Sequence, residues 1–214
     1  MKSASNSANT ENNPFRHFLL YKPFGYLSQL VNNQDRRKNK NLLGELYKFP
    51  EGTMAIGRLD EKSEGLLLLT TNGKVSALIR SNKFEKEYFV QVDGEITNEA
   101  VEQLRSGVEI SHRKNTYNTA RCSAKILESE PELAPRPKKI RSQRHGPTSW
   151  ISITLTEGKF RQVRKMTAAV GFPTLRLIRV RIAGNTIAGL SPGSVLEVDK
   201  FRLHPTEGEE HVFL

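Results

Sequence analysis

The stretch GRLDEKSEGLLLLTTNGK, residues 57–74, joins a charged turn to a strongly apolar run. Residues 65–70, GLLLLT, have the length and composition of a buried strand. Asp60 precedes this run by a few residues, on the polar turn that leads into it. Because an ionised carboxylate beside a buried strand is costly unless it is paired, we expect a nearby group to hold the charge of Asp60.

Strands outnumber helices on both sides of this stretch. Apolar or alternating runs that are bounded by turn residues are typical of strands. Such runs occur at 17–30 (two short strands around a Lys-Pro-Phe-Gly turn), 53–60, 65–70, 86–96, 120–129, 149–158 and 174–184. Many strands with few, widely separated helices predict an α+β fold, built on a mostly antiparallel mixed sheet with helices on its flanks.

Three helices are predicted. The first covers 75–82, after a turn. The second is expected over 99–106, with Asn98 as its N-cap and Gly107 as its stop. The third covers 159–171. Its apolar face is formed by residues three or four positions apart, namely Phe160, Val163, Met166 and Val170.

The charge of the chain points to a class of partner. Lys and Arg number 33 against 23 Asp and Glu, a formal net charge of +10. This excess favours a polyanion, and because no basic amphipathic helix of lipid-binding type occurs, it favours nucleic acid over a membrane. The basic residues concentrate at 36–40, 136–144 and 159–181. These regions either form one surface that follows a phosphate backbone or are separate solvated faces.

The sequence lacks the motifs of several other chemistries. Cys122 is the single cysteine, the five histidines are scattered, and no zinc-ligand spacing occurs. There is no dinucleotide-binding GxGxxG, no P-loop and no nucleophile elbow. We therefore predict no metal and no small-molecule cofactor. An enzyme built from this sequence would work with carboxylate, phenol and cationic groups.

The two ends of the chain differ in composition from the middle. Residues 1–14 are polar, without the apolar core of a signal peptide, and are predicted to be a disordered arm. Residues 205–214 form an acidic tail. No run of about 18 apolar residues suggests a membrane span, and the lone cysteine suits a reducing cytoplasm.

The segment at 57–73 resembles the catalytic motif of the pseudouridine synthases, in the RsuA-type branch that modifies ribosomal RNA. Four further motifs stand in the family order: KPFGY at 22–26, KEY at 86–88, EGKFRQVRKM at 157–166 and LIR at 177–179. The agreement spans about residues 17–203. Two departures, Thr71 where Asn is usual and Lys165 where Arg is usual, lie beside the catalytic positions.

The resemblance implies a role for each motif residue. Asp60 is the catalytic aspartate, Arg164 is the cation that keeps it ionised, and the ring of Tyr88 packs on the target base. For Asp60 and Arg164, the alternative is a plain ion pair between two loops. For Tyr88, the alternative is a place in the core. For Lys22, it is a structural role in the cleft wall. The predicted RNA-binding residues are Lys22, Arg58, Lys86, Lys159, Arg161, Lys165, Arg179, Arg136, Lys138, Lys139, Arg141 and Arg144.

The resemblance also implies a function. We expect residues 15–204 to form the catalytic domain, with two halves that share one sheet around a cleft and with no S4 domain in front of it. The implied activity is isomerisation of a specific uridine in large-subunit (23S) ribosomal RNA, by a monomer in the cytoplasm. The alternative is a catalytically silent protein that binds ribosomal RNA or assists ribosome assembly. Retention of Asp60, Tyr88 and Arg164 favours the enzyme.

Overall fold

The computed structural model describes residues 14–31, 40–140 and 143–203. Some predicted features lie outside these residues, namely the polar arm apart from Pro14, the basic segment at 36–39, Arg141 and the acidic tail.

The described residues form thirteen strands and three α-helices. The strands are β1 (His17–Lys22), β2 (Tyr26–Leu27), β3 (Asn41–Leu42), β4 (Met54–Ile56), β5 (Glu64–Thr70), β6 (Lys86–Asp93), β7 (Glu109–His112), β8 (Asn115–Asn118), β9 (Ser123–Ile126), β10 (Thr148–Leu155), β11 (Thr174–Ile182), β12 (Asn185–Thr186) and β13 (Val195–Val198). The helices are α1 (Gly73–Arg80), α2 (Asn98–Ser106) and α3 (Gln162–Ala169).

One large sheet organises the chain, in the order β13-β1-β5-β11-β6-β10-β9. Strand β4 pairs with β5, and β12 pairs with β11. Among the pairs described in this sheet, β5–β11 is parallel and the others are antiparallel. The α+β class with a mostly antiparallel mixed sheet is therefore confirmed.

Strand β5 lies inside this sheet, between β1 and β11, and is buried along its whole length. Leu66 and Leu68 pack with α1, whereas Leu67 and Leu69 pack on the other face with Phe18. A strand that is buried on both faces reads as a continuous apolar run rather than an alternating one. This explains the four consecutive leucines.

The parallel pair β5–β11 brings two backbones unusually close. Gly65 has a φ of +102°, and a Cβ at this position would overlap the backbone of Arg179 on β11. Glycine is required here for both reasons, because it adopts positive φ without strain and leaves room for the neighbouring carbonyl. The turn that carries Asp60 precedes this contact directly.

Helix α3 is shorter than predicted. It begins at Gln162 because Arg161, its N-cap, adopts a left-handed conformation with a φ of 54°. The prediction that Phe160 belongs to the apolar face is wrong, since Phe160 precedes this break and is 69% exposed. Val163 and Met166 are buried as predicted.

Helix α2 and the segment after it also differ from the predicted secondary structure. The N-cap is Thr97, whose hydroxyl accepts from the Ala100 amide, and Asn98 is the first helical residue. Gly107 ends the helix as predicted. A hairpin of β7 and β8 follows and was not predicted, because its strands are four residues long, mostly polar and mostly exposed.

The arginines of β11 do not form the exposed basic face predicted for 159–181. Arg176 is buried and donates to both carboxylate oxygens of Glu64, at 2.9 and 3.0 Å. Arg179 is also buried, and Arg181 pairs with Glu85 and Glu87. The strand part of that basic region is therefore internal or neutralised.

Two negative findings apply to the described ranges, 14–31, 40–140 and 143–203. No helix there is long and apolar enough to cross a membrane. No group of three His, Cys, Asp or Glu side chains there is positioned to hold a metal ion.

Candidate active site

A cavity of about 70 Å³ opens where the β5 turn, β6 and the start of α3 meet. Its walls include Asp60, Tyr88, Glu157, Arg161 and Leu177. These residues are contributed by four separate parts of the chain. The structure thus brings together residues from four of the five sequence motifs around one small space.

The turn that carries Asp60 is fixed by backbone contacts. The Ser63 amide donates to the Asp60 carbonyl at 3.0 Å, and the Gly25 amide donates to the Glu61 carbonyl at 2.8 Å. Ser28 donates its hydroxyl to the Leu59 carbonyl and accepts from the Leu59 amide, at 2.8 and 2.9 Å. The KPFGY segment and Ser28, which follows β2, therefore support the Asp60 turn.

Two arginines meet the Asp60 carboxylate. The Arg164 Nε atom lies 3.7 Å from Asp60 Oδ2, and the Arg161 Nη1 atom lies 3.4 Å from the same oxygen. The Arg164 side chain is 11% exposed, whereas that of Arg161 is 41% exposed. Pairing of Asp60 with Arg164 agrees with the prediction, and the contact with Arg161 was not predicted.

Arg164 also links α3 to the turn that carries Asp60. Its Nη2 atom donates to the Lys62 carbonyl at 3.0 Å and to Ser63 Oγ at 3.1 Å. Burial, and then the positive charge of Arg161, lower the pKa of the Arg164 guanidinium from its usual range, while the charge of Asp60 opposes that shift. One side chain therefore provides positive charge and fixes the position of the turn.

Tyr88 lines the cavity. It lies on β6, opposite Ile153 of β10 and Arg179 of β11, and is 9% exposed. Because alternate strand residues face opposite sides of a sheet, this register sends the ring towards the cavity that it lines. The ring is buried among core residues and also forms a wall of the site.

Glu157 is a site residue to which the sequence analysis assigned no role. It is buried, and its carboxylate accepts from Tyr117 Oη at 2.6 Å, the Ala120 amide at 2.8 Å and Gln162 Nε2 at 2.5 Å. Gln162 Oε1 in turn accepts from the Lys159 amide at 2.8 Å. These bonds tie the start of α3 to the β7–β8 hairpin. The motif EGKFRQVRKM was the one signal that pointed to Glu157.

Two of the residues that were predicted to contact RNA are buried rather than exposed. Lys22 is fully buried, and its ammonium donates to the carbonyls of Pro23 and Tyr26 at 2.9 and 2.7 Å. Its structural alternative is the one that the geometry supports. Arg179 is 4% exposed and donates from Nε to the Leu66 carbonyl at 2.8 Å, so it does not lie on an outer basic face.

The other predicted contacts divide into tethered and exposed groups. Lys86 donates to the carbonyls of Phe84 and Thr156, and Lys165 donates to the Ser111 carbonyl at 2.6 Å. The Lys159 ammonium lies 4.6 Å from the Tyr117 ring centre, and the Arg136 guanidinium lies 3.8 Å from the centre of the Phe24 ring. The exposed ones are Arg58, Lys138, Lys139 and Arg144.

Comparison with known families identifies the family of the chain. Residues 16–169 match the family model described as RNA pseudouridylate synthase. The chain therefore belongs to the RNA pseudouridylate synthase family, whose members are isomerases that act on RNA.

Particular relatives can also be named. The chain is 40% identical over 177 residues to ribosomal large subunit pseudouridine synthase E of Xanthomonas campestris pv. campestris, covering 82% of this chain and 91% of the relative. It is 38% identical to the protein of the same name from Vibrio vulnificus, covering 84% of this chain and 74% of the relative. A crystal structure of a pseudouridylate synthase shares the fold, with a TM-score of 0.68 at 22% identity over 86% of this chain and 70% of that one.

Proposed function

We propose that this protein isomerises a specific uridine of large-subunit ribosomal RNA to pseudouridine, with Asp60 as the catalytic carboxylate. The observation that carries the proposal is the Asp60 carboxylate, held between Arg161 and Arg164 on a cavity that Tyr88 also lines. The names of the relatives, ribosomal large subunit pseudouridine synthases, support the choice of RNA.

The reaction rearranges one nucleoside. The bond between N1 of uracil and C1′ of ribose breaks, the base turns, and a bond forms between C5 and C1′. The proton on C5 is lost and N1 gains one, so the atoms and electrons balance without any other reactant. The protein therefore has to hold a charged intermediate and to keep the base in place while it turns.

The geometry suits these two tasks. The Asp60 carboxylate, acting on the ribose or the base, lies within 3.7 Å of two guanidinium groups, which hold it in position by charge and hydrogen bonding. Charges that are fixed before reaction need little reorganisation when charge develops in the transition state. The Tyr88 ring offers a flat apolar surface on which a uracil can stack. A uridine in a duplex must first leave its stack, at a cost of about a few kcal/mol.

The test is a chemical map of pseudouridine across the ribosomal RNA of cells that lack the protein. We expect one site in large-subunit RNA to disappear and to return when the wild-type protein is supplied. Asp60→Asn should not restore it. Glu61→Gln is the matched control, because it makes the same chemical change one residue away, on a side chain that pairs with Lys40 at 2.9 Å, and it should restore the site.

Two results would contradict the proposal. Restoration by Asp60→Asn would remove Asp60 from its catalytic role. If every pseudouridine of large-subunit RNA remained in cells without the protein, the assigned substrate would be wrong, and a silent RNA-binding role would then account for the basic surface.

A further inference from the structure

A second cavity, of about 380 Å³, lies beside the catalytic one. The two cavities have four walls in common, formed by Arg58, Tyr88, Gly158 and Lys159. A nucleotide whose base reached Tyr88 from the catalytic side would therefore have its neighbouring backbone close to this second space. The catalytic role assigned to Asp60 does not use it.

The lining of the second cavity is strongly cationic. Five basic side chains contribute to it, and the described residues that line it include no carboxylate. The basic residues are Arg58, Arg80, Lys86, Lys159 and Arg179. The cavity at Asp60 differs, since its lining includes the carboxylate of Asp60, which pairs with Arg161.

One hydrogen-bond donor of the Arg179 guanidinium lacks an acceptor. Its Nε atom donates to the Leu66 carbonyl, but its Nη2 atom is buried without a hydrogen-bond partner in the part of the chain that the structure describes. A buried donor that is left unsatisfied costs about 1–3 kcal/mol, and more for a charged group. An acceptor supplied by a ligand in this cavity would remove that cost.

Lys86 gives independent support. Its ammonium is held by the carbonyls of Phe84 and Thr156. Burial, and then the charge of Arg179, lower the pKa of Lys86 to about 8. Like charges held close together in a partly buried space repel each other, and an anion between them would relieve that repulsion.

We propose that this cavity binds a backbone phosphate of the RNA, on a nucleotide next to the target uridine. The proposal rests on the proposed function, because it assigns the phosphate to the same substrate. Arginine suits such a site, since its planar guanidinium matches the oxygens of a phosphate. Arg80 and Asn82 are exposed at the cavity, which leaves it open to a continuing chain.

The test compares Arg80→Gln with Lys74→Gln. Both residues are exposed and lie on α1, but Lys74 does not line the cavity. Turnover is measured on ribosomal RNA from cells that lack the protein. We expect Arg80→Gln to raise KM about tenfold, the equivalent of one charge-assisted hydrogen bond, with kcat unchanged. It should also reduce the slope of log KM against log salt by about 0.7–0.9, as expected when one phosphate is no longer neutralised.

A second arm identifies the phosphate. Once the target is mapped, RNA oligonucleotides are made with a neutral methylphosphonate at one linkage beside the uridine. The neutral linkage should weaken binding to the wild type and to Lys74→Gln, and have no further effect on Arg80→Gln. A third arm adds inorganic phosphate at constant ionic strength. Inhibition of the wild type that Arg80→Gln abolishes, together with no effect of the neutral linkage on the wild type, would overturn the assignment to RNA in favour of a free phosphate ligand.

The outcomes separate this proposal from the proposed function. If the wild type turns over and Arg80→Gln behaves like Lys74→Gln, the phosphate site is refuted while the activity stands. If a neutral linkage weakens Arg80→Gln as much as the wild type, the site is likewise refuted. If the wild type does not convert uridine in ribosomal RNA at all, the proposed function itself fails.

Discussion

At the scale of single residues, the two arginines beside Asp60 have different tasks. Arg164 is largely buried and also donates to the Lys62 carbonyl and to Ser63 Oγ. Arg161 is exposed, and the ion pair that it forms with a described residue is with Asp60. Arg161 reaches the carboxylate from a left-handed backbone conformation, which is uncommon for a residue with a side chain. Arg164 therefore fixes the turn that carries Asp60, whereas Arg161 adds positive charge from the exposed side of the cavity.

The role of Arg164 can be tested with Arg164→Lys and Arg164→Gln. We expect both to lower kcat, Arg164→Gln by about 10²–10³-fold, the range seen when one preorganised donor is removed. Arg164→Lys should recover only part of the rate, because an ammonium keeps the charge but cannot reproduce the planar fork. Single-turnover kinetics with ribosomal RNA would measure this. Full activity of Arg164→Lys would show that charge alone is needed.

Lys22 illustrates a different use of a buried charge. Burial lowers its pKa to about 7, although the nearby carboxylates of Glu64, Asp60 and Glu61 oppose the shift. Above pH 7 the native protein releases this proton, while the unfolded chain keeps it up to the ordinary lysine pKa of 10.5. The unfolded state then binds more protons, so the free energy of unfolding rises with pH in this window.

The contribution of Lys22 to the free energy of unfolding can be measured between pH 7 and 9. Lys86, whose pKa is lowered to about 8, adds to the rise in the upper half. Burial raises the pKa of Cys122 from 9.0 to about 11, which opposes the rise only above pH 9. Urea unfolding of the wild type should show a slope of at most about 1.4 kcal/mol per pH unit for each lysine. Lys22→Met should flatten the slope and Lys74→Met should not; an unchanged slope in Lys22→Met would refute this explanation.

At the scale of elements, the site depends on the parallel contact between β5 and β11. This contact lies directly after the Asp60 turn, at Glu64 and Gly65, and joins the strands on either side of the large sheet. Glu64, the first residue of β5, is held there by buried Arg176. The turn is therefore fixed to the core at its end, and to α3 through Arg164.

Gly65→Ala should disturb this contact severely. The added methyl group meets the backbone of Arg179 at a φ that alanine does not favour, so overpacking and strain together should cost about 3 kcal/mol or more. Gly73→Ala is the matched control. Gly73 begins α1 with open space around it, so the change should be neutral or stabilising by about 0.4–1 kcal/mol. Equal midpoints in urea for the two variants would contradict the close approach.

At the scale of the whole molecule, the excess positive charge is not spread evenly. The arginines of β11 are held inside the sheet or in ion pairs, and Arg136 stacks on Phe24 of the KPFGY segment. The burial of Arg136 lowers the pKa of its guanidinium. What remains for long-range attraction of RNA includes the exposed Lys138, Lys139 and Arg144 on the segment that follows.

Replacing these three exposed residues with Gln tests their contribution. We expect weaker RNA binding and a slope of log Kd against log salt that falls by about 0.7–0.9 for each phosphate that the variant no longer neutralises, with the rate at saturation unchanged. The control is a triple Gln variant of Lys48, Lys74 and Lys125, which are exposed and lie outside both cavities. If the control lowers the slope equally, total charge matters and the segment does not touch RNA.

Local sequence was sufficient to predict the class of fold and the buried strand β5. The four leucines of β5 are unambiguous because burial on both faces leaves a local composition signal. The motif at 57–73 likewise marked Asp60, and the helix motif marked Arg164. The leucine run is a signal of local composition, whereas Asp60 and Arg164 were singled out by short motifs that resemble those of a known family.

The division of the charges into free and paired ones, by contrast, follows from the three-dimensional fold. Asp60 and Arg161 are 101 residues apart, and Glu64 and Arg176 are 112 apart. Such contacts depend on strand order and register, which local patterns do not encode. Basic residues on a strand read as solvent-exposed, yet Arg179 and Lys22 are buried because backbone carbonyls accept their hydrogen bonds. Burial of a charge is set by its partners in space, and those are chosen by the fold.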